Sequence, residues 1–365
     1  MPIAPQVEPA PELSAAERTR TARHLSLVGL GELGQRRLAA ARIAIIGAGG
    51  LGSPTILALA AAGVGTLTVI DNDVVEASNL QRQIIHRHSD VGALKTASAE
   101  RVGRDLAPEA TVIAVTERLT EHNADALLSG SDLVIDGSDT FPTRTAVADA
   151  CDRLGIPLVW GAVQEFSAQV TVFWATPPAG YDPVRLADLY PPGQSAPTCA
   201  EVGVLGALCL QVGGLLATEA IKLITGIGEP LLGRLLLIDS RRASQTEIPI
   251  RGSRARRPVA LPPECGPAEL DQLPEEILLL DVREPYETAA GVIAGSVCVP
   301  LAELLAAPTA VGAGPFLVIC QHGIRAQRAA AALIAAGESA TVLTGGIEAW
   351  LAHAHPGEPA HAGPA

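Results

Sequence analysis

Short apolar blocks recur through the first two thirds of the chain, separated by longer stretches with helical periodicity. Arg42-Ile-Ala-Ile-Ile46 reads as a buried strand, Leu51 to Ala62 as a helix, and Thr66-Leu-Thr-Val-Ile70 as a second strand. Together they predict a βαβ unit. Further strands are expected at Thr111–Val115, Leu133–Asp136, Leu158–Trp160 and Ala168–Phe173, with helices near Leu94–Leu106 and Arg144–Leu154. This alternation argues for an α/β fold with a doubly wound, mostly parallel sheet, because parallel neighbours need a crossover between them. Ala175 to Pro197, rich in Pro and Gly, predicts a long crossover. A long helix from Glu201 and two late strands, Leu235–Asp239 and Gln245–Ile250, complete the first unit. The longest apolar stretch, Gly203 to Ile224, is interrupted by Gln211, Glu219 and Lys222, and so predicts a buried helix and no membrane span.

At 365 residues the chain predicts two domains. The first is expected over residues 14–250, a Pro- and Arg-rich linker over 251–267, a smaller α/β domain over 268–354, and a disordered tail over 355–365. Residues 1–13, also Pro-rich, are expected to be mobile. The formal net charge is -13, with no sustained basic face beyond Arg251, Arg254, Arg256 and Arg257, which excludes a nucleic-acid partner. Six irregularly spaced cysteines form neither a disulfide framework nor paired metal knuckles, and the N-terminus lacks the basic head and apolar core of a signal peptide. A reducing cytoplasm is expected. Cys151, Cys209 and Cys298 lie in apolar runs and are expected in the core.

Gly47-Ala-Gly49-Gly50-Leu-Gly52 follows a strand and opens a helix, where glycines let backbone N–H groups approach a phosphate. Asp71 ends the next strand at the distance of a ribose-binding carboxylate. Alone, these features fit an NAD-dependent oxidoreductase as well as any nucleotide enzyme. The run Asp71-Asn-Asp73-Val-Val-Glu-Ala-Ser-Asn79-Leu-Gln-Arg82-Gln83, followed by Lys95 and Asp136-Gly-Ser-Asp139, suits ATP with Mg²⁺ better. Arg82 and Lys95 can neutralise charge as pyrophosphate leaves, and Asp139 stands at a strand end where it can hold the metal.

At these residues a resemblance emerges. Arg20-Thr-Ala-Arg23-His24, the glycine run, Asp-Asn-Asp, Ser-Asn-Leu-Gln-Arg-Gln, Gly92-Ala-Leu-Lys95, Asp139 and Thr198-Cys199-Ala-Glu201-Val-Gly-Val are similar to the ThiF/MoeB family, prokaryotic relatives of ubiquitin-activating enzymes. The resemblance spans about Thr19 to Ile250. It implies adenylation of the C-terminal Gly-Gly carboxylate of a ubiquitin-like sulfur-carrier protein. By position it implies that Asp71 binds ribose, that Asn79, Arg82, Gln83 and Lys95 face the phosphates, that Asp139 is the Mg²⁺ ligand, and that Arg23 reaches a partner subunit's site in a homodimer. The chain departs from the family in two places. Tyr181-Asp-Pro-Val-Arg-Leu and the Arg/Pro linker replace two Cys-x-x-Cys pairs, so no structural zinc is expected, and Cys265 alone cannot substitute. Thr140 stands where asparagine commonly follows Asp139. Thr198 and Glu201 read as a capping box that places Cys199 in the first turn of a helix, where the dipole lowers a thiol pKa. Cys199 then either accepts a group during transfer or merely fits a hinge.

Near the other end, Phe316-Leu-Val-Ile-Cys320-Gln-His-Gly-Ile-Arg325 delivers a cysteine from an apolar strand into a tight loop that opens a helix. Inward backbone N–H groups, the helix dipole and Arg325 favour a thiolate there. Only Gln321, His322, Gly323 and Ile324 separate Cys320 from Arg325, a cradle better sized for one extra sulfur than for a phosphate. With Ile277-Leu-Leu-Leu-Asp281-Val-Arg283-Glu284, Gly291-Val-Ile-Ala-Gly295 and Thr344-Gly-Gly-Ile-Glu-Ala-Trp350, this region resembles the rhodanese (sulfurtransferase) domain. The resemblance implies a persulfide on Cys320 supplied by a persulfide donor, a loop organised by Asp281 and Arg325, and a turn permitted by Gly323. Val292 replaces a common histidine. The two halves then make one pathway, an acyl-adenylate attacked by sulfur to leave a thiocarboxylate. The rival readings are an NAD-dependent oxidoreductase fused to a sulfur-handling domain, and a non-catalytic scaffold.

Overall fold

The computed structural model describes residues 3–191, 202–252, 262–272, 274, 276–321 and 323–354. The chain divides into two compact units, Met1–Arg254 and Ala255–Ala365.

In the first unit, β1 (Arg42–Ile46), β2 (Thr66–Ile70), β3 (Thr111–Val115), β4 (Leu133–Asp136), β5 (Leu158–Gln164), β6 (Ser167–Phe173), β7 (Arg234–Asp239) and β8 (Ser244–Pro249) form one sheet. Its order is β3-β2-β1-β4-β5-β6-β7-β8. The pairs from β3 to β5 are parallel, and those from β5 to β8 are antiparallel. Opposite Ile46 of β1 stand Ile70 of β2 and Asp136 of β4, so the three strands end at one level. The chain leaves β1 toward β2 on one side and returns to β4 on the other. This is the switch point where an open α/β sheet leaves a crevice.

The Gly206–Thr225 helix is long and apolar enough to cross a membrane, yet 56% of its apolar window is buried in this unit. It packs against the Gly52–Ala62 helix at Gly213, where a Cβ would come within 2.2 Å of Pro54 Cγ. This helix starts later than expected. Gly203 takes a left-handed φ of 81°, and its carbonyl and the Leu205 N–H bond the backbone of Glu165, so residues 203–205 join the β5–β6 turn.

The N-terminal residues also depart from expectation. Instead of being mobile, residues 3–13 lie along the unit as an extended strap. Ile3, Val7 and Leu13 are buried, the Gln6 N–H donates to the Leu223 carbonyl, and the Ala10 N–H donates to the Arg36 carbonyl. Burying these side chains offsets the entropy of ordering the strap.

In the second unit, β9 (Glu264–Cys265), β10 (Leu278–Asp281), β11 (Val297–Cys298), β12 (Phe316–Ile319) and β13 (Ala340–Leu343) form a parallel sheet ordered β11-β10-β12-β13-β9. Part of the expected linker thus belongs to this sheet: Glu264 and Cys265 pair with Val342 and Leu343, and Cys265 is buried beside Leu317 and Ile319. Cys298, expected in the core, is exposed because β11 is a two-residue edge strand. Cys151 and Cys209 are buried. All four residues of β12 are buried, which anchors the loop that follows.

Candidate functional site

A cavity of about 290 Å³ opens at the C-terminal ends of β1, β2 and β4. Gly47, Gly49 and Gly50 form its floor. Gly47 has φ 88°, and a Cβ on Gly52 would lie 1.8 Å from the Gly47 carbonyl oxygen, so the loop can turn this tightly into the helix only with glycine at both ends. Asp71 accepts the N–H of Ala48 at 2.7 Å and of Asp73 at 2.8 Å. Burial pushes its carboxyl upward, against the pull of Lys95 and the two N–H groups.

Lys95, at the first position of the Lys95–Leu106 helix, donates from Nζ to Asp73 at 2.7 Å and is buried at the cavity edge. Arg82 also lines the cavity and donates from Nη1 to the Ser78 carbonyl at 3.2 Å. Gln83 lies beside it, with a buried Oε1 that has no hydrogen-bond partner. Asn79 Oδ1 accepts the Glu76 N–H at 3.1 Å, capping the turn that carries Arg82 and Gln83. Asp139 lines the opposite wall. Next to it, Thr140 caps the Phe141–Leu154 helix through Thr143 N–H, so the threonine serves local structure. Arg23 is exposed on the Ala22–Leu25 helix and is not among the residues lining this cavity.

Two cations flanking a glycine loop, with carboxylates on both walls, fit a nucleotide triphosphate and a divalent cation. Gln83 adds a further polar side chain to that lining, its Nε2 lying near Gly49. Sequence reasoning missed three charged lining residues. Glu117 and Arg118 follow the end of β3, and the strand alternation could have pointed to that edge. Arg144 is held by Nε and Nη2 bonds to the Ser138 carbonyl and lies over the Phe141 and Trp160 rings, at 5.4 and 5.6 Å from their centroids.

The second unit presents Cys320 at the end of β12. The thiol is buried, and the Gly323 N–H donates to Sγ at 3.1 Å. Gly323 has φ 98° and caps the Ile324–Ala335 helix, which turns the loop back over the sulfur. Gly346 passes so close beneath that a Cβ there would meet the Cys320 carbonyl oxygen at 2.3 Å, and the Ile347 N–H donates to that oxygen at 2.8 Å.

Asp281 is fully buried and receives Arg283, whose guanidinium also donates to the Gly291 carbonyl. Arg325 forms a two-pronged pair with Glu287, both contacts at 2.6 Å. The bond to Arg325 holds the Glu287 carboxyl down to about 2, and Arg325 is raised in turn, chiefly by Glu287 and further by the field of Cys320. Glu287 was not anticipated. Cys199, with its capping partners Thr198 and Glu201, and His322 lie outside the described residues. Among the described residues no group of three His, Cys, Asp or Glu side chains is arranged to hold a metal ion.

Comparison with known proteins agrees with this architecture. The ThiF family model matches residues 21–259, and the rhodanese-like domain model matches residues 266–353. The probable adenylyltransferase/sulfurtransferase MoeZ of Mycobacterium tuberculosis is 42% identical over 97% of this chain and 98% of its own length. The SAMP-activating enzyme E1 of Haloferax volcanii is 42% identical over 72% of this chain and 93% of its own. The solved structure of E. coli MccB with MccA-N7isoASN has a TM-score of 0.58 at 20% identity, covering 68% of this chain and 75% of that one, and bears on the fold alone. The chain belongs to the ThiF family, as an enzyme of the adenylyltransferase/sulfurtransferase class with a C-terminal rhodanese-like domain.

Proposed function

We propose that the protein uses ATP to adenylate the C-terminal Gly-Gly carboxylate of a ubiquitin-like sulfur-carrier protein and then converts the acyl-adenylate to a thiocarboxylate with sulfur carried on Cys320. The observation that carries this reading is the pairing of two kinds of site in one chain: a cavity at the switch point edged by Arg82, Lys95 and Asp139, and a buried cysteine whose sulfur accepts the Gly323 N–H. Similarity to the sulfur carrier protein adenylyltransferase of Thermus thermophilus, 43% identical over 68% of this chain, supports the carrier as partner.

In this reading the glycine loop cradles the phosphates and Asp71 orients the ribose. Arg82, Gln83 and Lys95 stabilise charge that develops as the carboxylate attacks the α-phosphorus and pyrophosphate departs. Asn79 acts one step back, by holding the Arg82 turn. Asp139 would hold Mg²⁺, which when bound would supply charge to neutralise the phosphates. Arg23 completes the cavity of the partner subunit in a homodimer. We expect no structural zinc and a cytoplasmic location.

Cys320 takes a sulfur atom from a persulfide donor. The outer sulfur of the resulting persulfide attacks the activated carbonyl and expels AMP, leaving an acyl disulfide. A second thiol then attacks the Cys320 sulfur, breaking the S–S bond, so that the thiocarboxylate leaves with the electron pair and the two thiols end as a disulfide. Cys199 is either a relay for the acyl group or a hinge residue. The test is the intact mass of candidate carriers incubated with the enzyme, ATP and a sulfur donor. One oxygen replaced by sulfur is expected, and unchanged mass in every carrier ending in Gly-Gly would overturn the proposal.

A further inference from the structure

The cations tied into the Cys320 loop are already matched by carboxylates. Arg283 is buried against Asp281, and Arg325 is held by both oxygens of Glu287. Gln321, the first loop residue, bonds Arg283 through Oε1 at 3.4 Å and Glu348 through Nε2 at 2.9 Å, bringing a third carboxylate to the loop. Among the described residues both guanidinium groups are thus paired with carboxylates, while the Gly323 N–H donates to the sulfur at the start of the Ile324–Ala335 helix, where a sulfur anion is favoured. Glu287 is itself fixed. It accepts the Glu284 N–H at 2.9 Å from the Pro285–Thr288 helix, and its side chain is only 16% exposed, so its charge is not diluted by solvent as a surface carboxylate's is.

We infer that Glu287 is a specificity-determining residue for sulfur loading: by neutralising Arg325 it turns the Cys320 site against multiply charged anionic sulfur donors and toward organic persulfides. The inference rests on the reading of Cys320 as the sulfur carrier. In loading, the Cys320 thiolate attacks the outer sulfur of the donor. A new S–S bond forms at Sγ, the donor's own S–S bond breaks, and its electron pair leaves on a thiolate from an organic persulfide or on sulfite from thiosulfate. The charge count is the same on both sides, and no external oxidant or reductant is required. The two donors differ in what must enter the loop, a singly charged or neutral persulfide against a dianion, and an unmatched Arg325 charge would favour the dianion.

The experiment compares loading of Cys320 in the full-length protein by thiosulfate and by 2-hydroxyethyl persulfide, a donor with no charge beyond its persulfide group, read as a mass gain of one sulfur atom over time. Glu287→Gln retains an acceptor for the Arg325 N–H groups but removes the charge. Its rate constant ratio, thiosulfate over 2-hydroxyethyl persulfide, should rise about tenfold, mainly through a lower thiosulfate KM and with a steeper salt dependence. Glu287→Asp, which keeps the charge, should hold the ratio near that of the unmodified protein. An unchanged ratio in a Glu287→Gln protein with a normal melting transition overturns the inference while leaving Cys320 as carrier. Should Glu287→Gln not fold, the salt dependence of thiosulfate loading in the unmodified protein is read instead: a flat dependence is expected of a neutralised Arg325, and a steep fall in rate with added salt overturns the inference. Failure of Cys320 to gain sulfur from either donor in the unmodified protein sinks the underlying reading as well.

Discussion

Arg82→Ala offers a sharp test of the adenylation site because the structure separates its catalytic cost from its structural cost. Arg82 is half-buried at the cavity and is anchored to the Ser78 carbonyl at 3.2 Å. No carboxylate holds it among the ion pairs of the described residues, whereas Lys95 is bound to Asp73 at 2.7 Å. Its full charge is therefore available to phosphate oxygens. Losing a transition-state contact of this kind costs about 2 to 4 kcal/mol, or roughly 30- to 1000-fold in rate. Losing one hydrogen bond to a carbonyl costs the fold about 1 kcal/mol. Carrier-dependent pyrophosphate exchange into ATP should accordingly collapse in Arg82→Ala while the melting temperature falls by only a few degrees. Lys95→Ala should shift the balance, with a larger loss of stability, because the removed side chain is buried and leaves Asp73 unpaired. Exchange within threefold of the unmodified enzyme in folded Arg82→Ala would refute the assignment of this cavity to acyl-adenylate formation.

Four further outcomes follow from the same geometry. Mixing Arg23→Ala with Asp139→Ala subunits should restore part of the exchange activity, since each mixed dimer holds one intact composite site; demonstrated heterodimers without activity would count against sharing. Metal analysis of the purified protein should find less than stoichiometric zinc, and a value near one per chain would mean that ligands lie elsewhere. The Glu287 carboxyl, held down to about 2 from an ordinary 4.5 by Arg325, contributes stability that is complete above pH 4.5 and is lost as pH falls toward 2; the acid limb of the second unit's melting curve should be steeper in the unmodified protein than in Glu287→Gln, and identical limbs would contradict the pairing. Cys320→Ser should retain pyrophosphate exchange yet make no thiocarboxylate unless free sulfide is supplied, while Cys199→Ser distinguishes relay from hinge by whether sulfide still yields product; loss of exchange in folded Cys320→Ser would refute the division of labour.

How much of this was legible depended on whether the determinant was local in sequence. β1, β2, β3 and β4 fall where the apolar runs place them: four consecutive buried residues in β1 and in β4 leave little choice of element, and β2 and β3, less buried, are fixed beside them by their β-branched runs. The glycine loop and the Cys320 loop were equally visible, because a tight turn between strand and helix needs glycine at set positions and a chemical group beside them. The elements that escaped depend on contacts between distant segments. The strap of residues 3–13 looked mobile from its prolines, yet three apolar side chains find the core, and Leu223 offers it a carbonyl. Cys265 read as a linker residue, although β13 gives its short strand a parallel partner nearly eighty residues later. Cys298 read as core from its apolar neighbours, and its place at the sheet edge exposes it.

Charge compensation escaped for the same reason, and it matters most for function. A motif shows which cations surround a site but not which of them are already spoken for. Arg82, Lys95 and Arg325 look alike along the chain. In the fold, Arg82 is tied to a carbonyl, Lys95 to a carboxylate two thirds exposed to solvent, and Arg325 to a carboxylate largely buried. Solvent screens the Lys95 pair and lets a polyphosphate compete with Asp73 for the ammonium. The Arg325 pair is shielded and two-pronged, so an incoming anion competes poorly with Glu287. The first unit is thereby disposed to receive a highly charged nucleotide. The second unit is disposed to handle sulfur with little net charge. The same residue types serve opposite ends because their partners, 38 positions away for Arg325 and 22 for Lys95, differ in burial.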